Sequence, residues 1–224
     1  MNSYQIYARF FPTVISAIPA LLFQYFFLNT EISNFFQFLI GLTIIGNLTI
    51  SIAILYLFSQ VNRILAKILF EKKEIFMPTT NSLFFSNPEY SNEYKNMIYD
   101  KIWKDFSMKL PSSEEQITNE INSRRRISEA ISLVRKKVGS GTLLLQHNTE
   151  YGFWRNLIGG AIISGLFSLI DIYFAFLQSD IAILVISILF LLGNLILIIF
   201  NKFIINKLGE LYARVLIQEY MVGN

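Results

Sequence analysis

The sequence contains no cysteine and a single histidine, His147. The first absence excludes disulfides, thiolate zinc sites, thiol catalysis and palmitoylation, and it suits any compartment. The second leaves no pattern for a histidine-based metal site, and no nearby nucleophile has a convincing base, so His147 reads as structural. Charge is also scarce: 16% of the residues are charged, against about 25% in ordinary soluble domains. The formal net charge of +3 argues for no polyanionic partner by itself. No glycine-rich phosphate loop is present, and Gly139-Ser140-Gly141 is a turn that makes only a weak nest. No acid–base set stands out, and the paired broken helices of many transporters are missing. The expectation is a protein that is not an enzyme and uses no cofactor.

What is abundant is apolar. The chain is 53% hydrophobic and holds 21 Phe. Residues 157–177 (LIGGAIISGLFSLIDIYFAFL) and 181–200 (IAILVISILFLLGNLILIIF) are apolar runs of 21 and 20 residues, separated by the three-residue turn QSD. At 1.5 Å per residue each spans about 30 Å, the thickness of a bilayer's hydrocarbon core. A chain of 224 residues is too short to bury such a pair inside a soluble domain. A second pair occupies residues 10–28 and 35–58, separated by NTEISN. The first of these runs lacks a small-residue cleavage site and is read as a retained helix. Pro12 near its start costs little, whereas Pro19 removes a backbone donor and predicts a kink, as packing feature or as hinge.

The expected fold is therefore an all-α membrane protein with four transmembrane helices in two hairpins and a mostly helical cytoplasmic domain. Its segments are a first hairpin (1–61), a cytoplasmic domain (62–156), a second hairpin (157–200) and an amphipathic tail (201–224). The two short turns hold Glu31 and Asp180 but no Lys or Arg, while Arg9, Arg63, Lys67, Arg155, Lys202 and Lys207 flank the other ends. The excess of basic residues places both termini and the middle segment in the cytoplasm.

Polar groups inside the spans are few. Asp171 lies in the third span, where an ionised carboxylate costs a few kcal/mol unless neutralised, paired or hydrated. It is either a protonated or helix-paired group near the headgroups, or a pore-lining, proton-sensitive one. Asn47 and Asn194, each preceded by Gly in a recurring GNL, are candidates for interhelical hydrogen bonds, commonly worth about 1 kcal/mol. Gly160, Ser164 and Ser168, and also Ala161 and Gly165, form small-residue stripes that permit close helix contact or oligomerisation.

Both hairpins run on past the apolar runs. NRILAKILFEKKEIFM continues the second span in helical register, and Ile204, Ile205, Leu208, Leu211, Tyr212 and Val215 continue the fourth. These extensions suit either a stalk packed on the middle segment or helices lying along the headgroups. Gly209 weakens the tail helix without ending it.

Residues 62–156 carry 15 basic and 11 acidic side chains. MPTTNSLFFSN, residues 77–87, reads as a linker or one short strand. A helix is expected from Pro88, capped by Asn87, with Tyr90, Tyr94, Ile98, Ile102 and Phe106 on one face. A second starts at Ser112, whose capping box uses Glu115, and stops at Gly139, with Ile117, Ile121, Ile127, Ile131 and Val134 on one face. Its late basic residues Arg124, Arg125, Arg126, Arg135, Lys136 and Lys137 suit the helix's negative end. Arg124 and Arg135 fall on one flank, so the two clusters suit anionic lipid headgroups, a solvated face, or an anionic ligand such as a nucleotide or nucleic acid. Arg124, Arg125, Arg135 and Lys136 are the ligand-binding candidates. Leu143 to Leu145 start a strand or a helix. Tyr151, Phe153, Trp154 and Arg155 suit a headgroup-level belt, and Tyr151 and Arg155 are the candidates for coupling the middle segment to the third span.

The runs PTTNSLFF, RRRISEAISLVRKKV and LLLQHNTEYGFWRNLIGG resemble those of a group of uncharacterised bacterial four-helix membrane proteins, over roughly residues 76–160. The layout is also similar to the transmembrane effectors of bacterial anti-phage cyclic-nucleotide signalling systems, although no diagnostic motif carries that likeness. The resemblance implies a bacterial inner-membrane protein that senses a cyclic nucleotide or oligonucleotide, forms a homo-oligomer and perturbs the bilayer. It carries over no nucleotide-contact residues. The alternative expectation is a non-enzymatic anchor or assembly subunit that recruits a soluble protein partner.

Overall fold

The computed structural model describes residues 3–28, 31, 34–35, 43–70, 74–139 and 141–223. Most of the expected 29–34 turn, the start of the second span and Ser140 lie outside them. Among the described residues every regular element is helical. We number the longer helices α1 (Phe11–Phe27), α2 (Thr43–Phe70), α3 (Asn92–Phe106), α4 (Ser113–Thr118), α5 (Glu120–Val138), α6 (Thr142–Gln178), α7 (Ile181–Ile199) and α8 (Asn201–Val222).

Among the described residues four stretches are long and apolar enough to cross a bilayer: Ile6–Phe27, Gly46–Phe70, Leu143–Gln178 and Ile181–Ile199. The chain is a multi-pass membrane protein. The spanning helices α2 and α6 extend well beyond the apolar runs, because no Pro interrupts their flanks and the Asn, Gln and Lys residues there are compatible with helix. A π-helical segment, Ile6–Phe10, leads into α1, and α1 carries Pro19 inside it.

The chain divides into two compact units. The first comprises Met1–Phe70 and Gly152–Lys202, and the second Glu71–Tyr151 and Phe203–Asn224. In the first unit Ala17, Ala20 and Phe58 form a small buried cluster joined by Leu21, Ile54, Leu55, Ile163 and Phe167. Phe23 of α1 meets Phe174 of α6 at 5.5 Å between ring centroids, and Phe58 of α2 meets Phe167 at 5.9 Å. Small residues let the backbones close in. A β-carbon placed on Gly159 of α6 would lie 2.6 Å from the carbonyl oxygen of Asn62 and 2.8 Å from the amide nitrogen of Ala66, both in α2. Only residues without bulk fit such a crossing.

The turn between α6 and α7 is short. Ser179 takes a left-handed φ of 57°, and the Asp180 carboxylate caps α7 by accepting from the Ile183 amide at 3.1 Å. The outward faces of α7 carry exposed Ile181, Val185, Leu189, Leu192, Ile196 and Ile199, the side chains a lipid phase solvates.

The second unit has its own core. Leu83, Phe84, Ile98, Ile102, Ile127, Ile131, Val134 and Leu144 pack with Val215, Leu216, Ile217 and Tyr220 of α8. The tail thus belongs to this core. Gly209 sits where Pro78 crosses: a β-carbon there would lie 2.7 Å from the proline Cγ.

Local details depart from the sequence pattern in three places. The helix expected from Pro88 starts instead at Asn92: Ser91 caps it by accepting from the Tyr94 amide at 3.2 Å, while Asn87 accepts from the Glu89 amide at 2.9 Å in a turn. Residues 77–87 are neither linker nor strand. Pro78–Asn81 forms one helical turn, and Leu83 and Phe84 enter the core. The Ser112 and Glu115 capping box forms as expected, but the helix breaks at Asn119 (φ −140°, ψ 66°), which caps α5 anew. That break rotates the phase, so Ile127, Ile131 and Val134 are buried whereas Ile117 is 82% and Ile121 59% exposed. Leu143 to Leu145 are helical, and α5 ends at Val138 before Gly139, whose φ is 73°.

Candidate functional site

The first unit buries a line of small and polar residues along one face of α6. Asn156, Gly160, Ser164, Ser168, Asp171 and Ala175 follow at three- and four-residue steps, and all are buried. Helical spacing alone produces the line. Its apolar alternative face supplies Leu166, Leu169, Ile170 and Tyr173, which are exposed.

Two of these groups, Asn156 and Ser164, are hydrogen-bonded to a neighbouring helical segment. Asn156 Nδ2 donates to the Ala8 carbonyl at 2.6 Å. Asn194 Nδ2 of α7 donates to Ser164 Oγ at 2.9 Å, and Ser168 Oγ donates back to the Ser164 carbonyl at 2.9 Å. The interhelical role expected for Asn194 is therefore what its carboxamide performs. Asn62 of α2 donates through Nδ2 to Ser16 Oγ of α1 at 2.6 Å, and its side chain lies directly over Gly160. A second polar contact joins α1 and α2. Gln24 Nε2 donates to the Asn47 carbonyl at 3.0 Å, and Ser51 Oγ donates to Gln24 Oε1 at 3.1 Å and to that same carbonyl at 2.9 Å. Asn47 thus serves the contact through its backbone oxygen.

Asp171 differs from the rest. It has no solvent exposure, and neither carboxylate oxygen has a hydrogen-bond partner. Ser187 of α7 is likewise fully buried with an unpartnered hydroxyl. In folded proteins buried polar atoms are nearly always satisfied; single oxygens of Asn62 and Asn156 also lack a partner here, but among the described residues only Asp171 has a whole buried carboxylate without one.

Sequence reasoning missed Asn62, Ser16, Asn156 and Ser187. Asn62 and Asn156 sit outside the apolar runs, and serine is unremarkable in a membrane helix. For Asn156 the available signal was its four-residue spacing from the small-residue stripe of α6.

In the second unit the basic candidates divide. Arg124 is largely enclosed. It pairs with Glu120 at 2.7 Å, donates to Asn81 Oδ1, and lies 4.4 Å from the ring centroids of both Phe76 and Phe84. Arg135 donates to Thr79 Oγ1 at 3.2 Å and lies 5.6 Å from the Tyr212 ring centroid. Both guanidiniums fasten the stretch around residues 76–84, or the tail, to α5. Arg125 and Lys136 are exposed. Arg126 pairs with Glu115 at 3.7 Å and reaches the Lys109 carbonyl. Lys137 pairs with Asp105 at 2.7 Å, and Asp105 also accepts from the Tyr220 hydroxyl at 2.9 Å. The Lys137 hydrogen bond holds the Asp105 carboxyl below the usual range, and burial, with Asp105 beside it, pushes the Tyr220 phenol up. Lys95 is wholly buried and donates to the carbonyls of Phe85 and Asn87. Desolvation lowers its pKa, with Glu89 opposing.

This division predicts different outcomes for different substitutions. Arg124→Ala is expected to destabilise the second unit by about 2–3 kcal/mol, because it removes charge-assisted hydrogen bonds and two aromatic contacts together. Arg125→Ala and Lys136→Ala should each stay within about 0.5 kcal/mol of wild type. Hydrogen exchange of α5 amides reads the difference.

Tyr151 and Arg155 are half-buried on α6, Tyr151 in the second unit and Arg155 in the first. His147 Nδ1 lies 3.6 Å from Glu150 Oε2. Among the described residues no group of three or more His, Cys, Asp or Glu could hold a metal ion. Comparison with known protein families, curated proteins and solved structures gives no match to this chain.

Proposed function

We propose that the protein is an effector of the bacterial inner membrane that perturbs or permeabilises the bilayer under control of a cytoplasmic ligand or partner, in anti-phage defence. The observation that carries the reading is Asp171: a buried carboxyl without a partner, set in a polar line on a spanning helix. A purely structural helix gains nothing from a group that costs a few kcal/mol at that depth. In this reading the spans form two hairpins, copies assemble through the small-residue faces, and the second unit is the cytoplasmic control domain. Arg125 and Lys136 are its exposed cations for a cyclic nucleotide or oligonucleotide.

Induced expression with a membrane-potential dye tests it. Cells making the wild-type protein are expected to lose potential once the trigger is supplied. Asp171→Asn should reduce that loss by about tenfold or more at matched protein level. If potential is kept with every trigger offered, the reading fails.

A second reading is supported by one observation. Ile117 and Ile121 are large, apolar and exposed in the second unit. Ile117 lines a cleft of about 380 Å³ together with Phe84, Phe85, Gln116, Glu120 and Arg124. A non-enzymatic anchor that recruits a soluble protein would use such a surface. Stoichiometric co-purification lost in Ile117→Asp favours this reading.

A further inference from the structure

We infer that Asp171 and Ser187 together bind one monovalent metal cation between α6 and α7. The inference rests on the reading of Asp171 as the working group of the spanning helices.

Register brings the two residues level. The helices are joined through Ser179 and Asp180 alone, and Asn194 bonds to Ser164 at 2.9 Å. Asp171 lies seven residues after Ser164, and Ser187 seven residues before Asn194. Seven residues are about two helical turns, so a pair of helices running back from that short connection places Asp171 and Ser187 at the same height. Both are fully buried, and neither bonds to the other or to anything else. Three buried oxygens, two carboxylate and one hydroxyl, are thus left without a partner at one height of the helix pair.

Charge decides the class of ligand. The sequence places no Lys or Arg between residues 156 and 201, so no side chain of α7 neutralises the carboxylate. One positive charge makes the site neutral, whereas a divalent ion leaves a net charge at a depth where charge is costly. Hard oxygen donors suit an alkali ion, and intramembrane sites for such ions use carboxylate, hydroxyl and carbonyl oxygens. The Ser164 carbonyl is already occupied by Ser168, which leaves Ser187 as the defined second donor.

Thermal unfolding of the purified full chain in detergent tests the site, with NaCl, KCl and LiCl each compared with choline chloride at equal ionic strength and fixed pH. At least one alkali ion is expected to raise the midpoint saturably. Ser187→Ala should weaken the apparent affinity by about tenfold, one lost oxygen donor. Asp171→Asn should remove the response, while Leu189→Ala on the exposed face keeps it. If no alkali ion stabilises the protein more than choline does, the site is overturned. A response that persists in Asp171→Asn overturns it equally. The measurement is separable from the potential assay. A stabilising ion without depolarisation leaves the site standing and removes permeabilisation, and depolarisation without ion stabilisation does the reverse.

Discussion

Gly159→Ala is expected to destabilise the spanning unit by about 3 kcal/mol, at the upper end for overpacking by one methyl group. The new carbon would fall 2.6 Å from a carbonyl oxygen and 2.8 Å from an amide nitrogen of α2. Both obstacles are backbone, so no rotamer change relieves the clash and the helices themselves must separate. Separation would disturb Asn62 over Gly160 and its bond to Ser16, along with the Phe58 and Phe167 contact. Gly193→Ala is the internal control. Nothing lies within 4 Å of its β-carbon position, so the change should remain within about 1 kcal/mol of wild type, on the stabilising side through helix propensity. Unfolding of both variants in mixed micelles measures the contrast, and equal stabilities would show that α2 and α6 do not cross so closely.

Leu216→Ala should cost the second unit about 2–5 kcal/mol, as truncating a fully buried leucine does. A small helical unit has few kcal/mol to lose. Its α3 and α5 amides should exchange hydrogen globally faster, although the substitution lies far along the chain, in α8. The outcome separates two roles for the tail. A helix lying along headgroups would show loss of protection in α8 alone, whereas a tail built into the core carries α3 and α5 with it.

The spans were legible because two bilayer-length apolar runs admit few alternatives, and the Asn194 contact because a carboxamide in an apolar helix needs a partner. Asn62 was not legible. Hydropathy assigns it to a polar flank, and its importance comes from a glycine nearly a hundred residues away that no local pattern identifies. Arg124 shows the same limit. Its position on a flank of α5 follows from spacing, but the aromatic rings that enclose it, Phe76 and Phe84, come from a stretch with no helical period. Ile117 and Ile121 failed for a different reason. The phase of a helix can be extrapolated only while the helix is continuous, and the break at Asn119 ends that continuity. The break has no strong sequence signal, since ITNEIN suits helix nearly as well as a cap.

The two-residue connection between α6 and α7 has a consequence for biogenesis. So short a tether cannot let one helix cross while its partner waits on the side from which it came, so the two must enter the bilayer in a single step. During that step Asp171 need never face lipid by itself, because the helix carrying Ser187 and Asn194 arrives with it. The order of synthesis reinforces this: α7 is the next segment to leave the ribosome after α6. Lengthening the connection should therefore expose a charge-bearing helix to the translocation machinery alone and lower the yield of inserted protein, even where the finished fold would tolerate the extra residues.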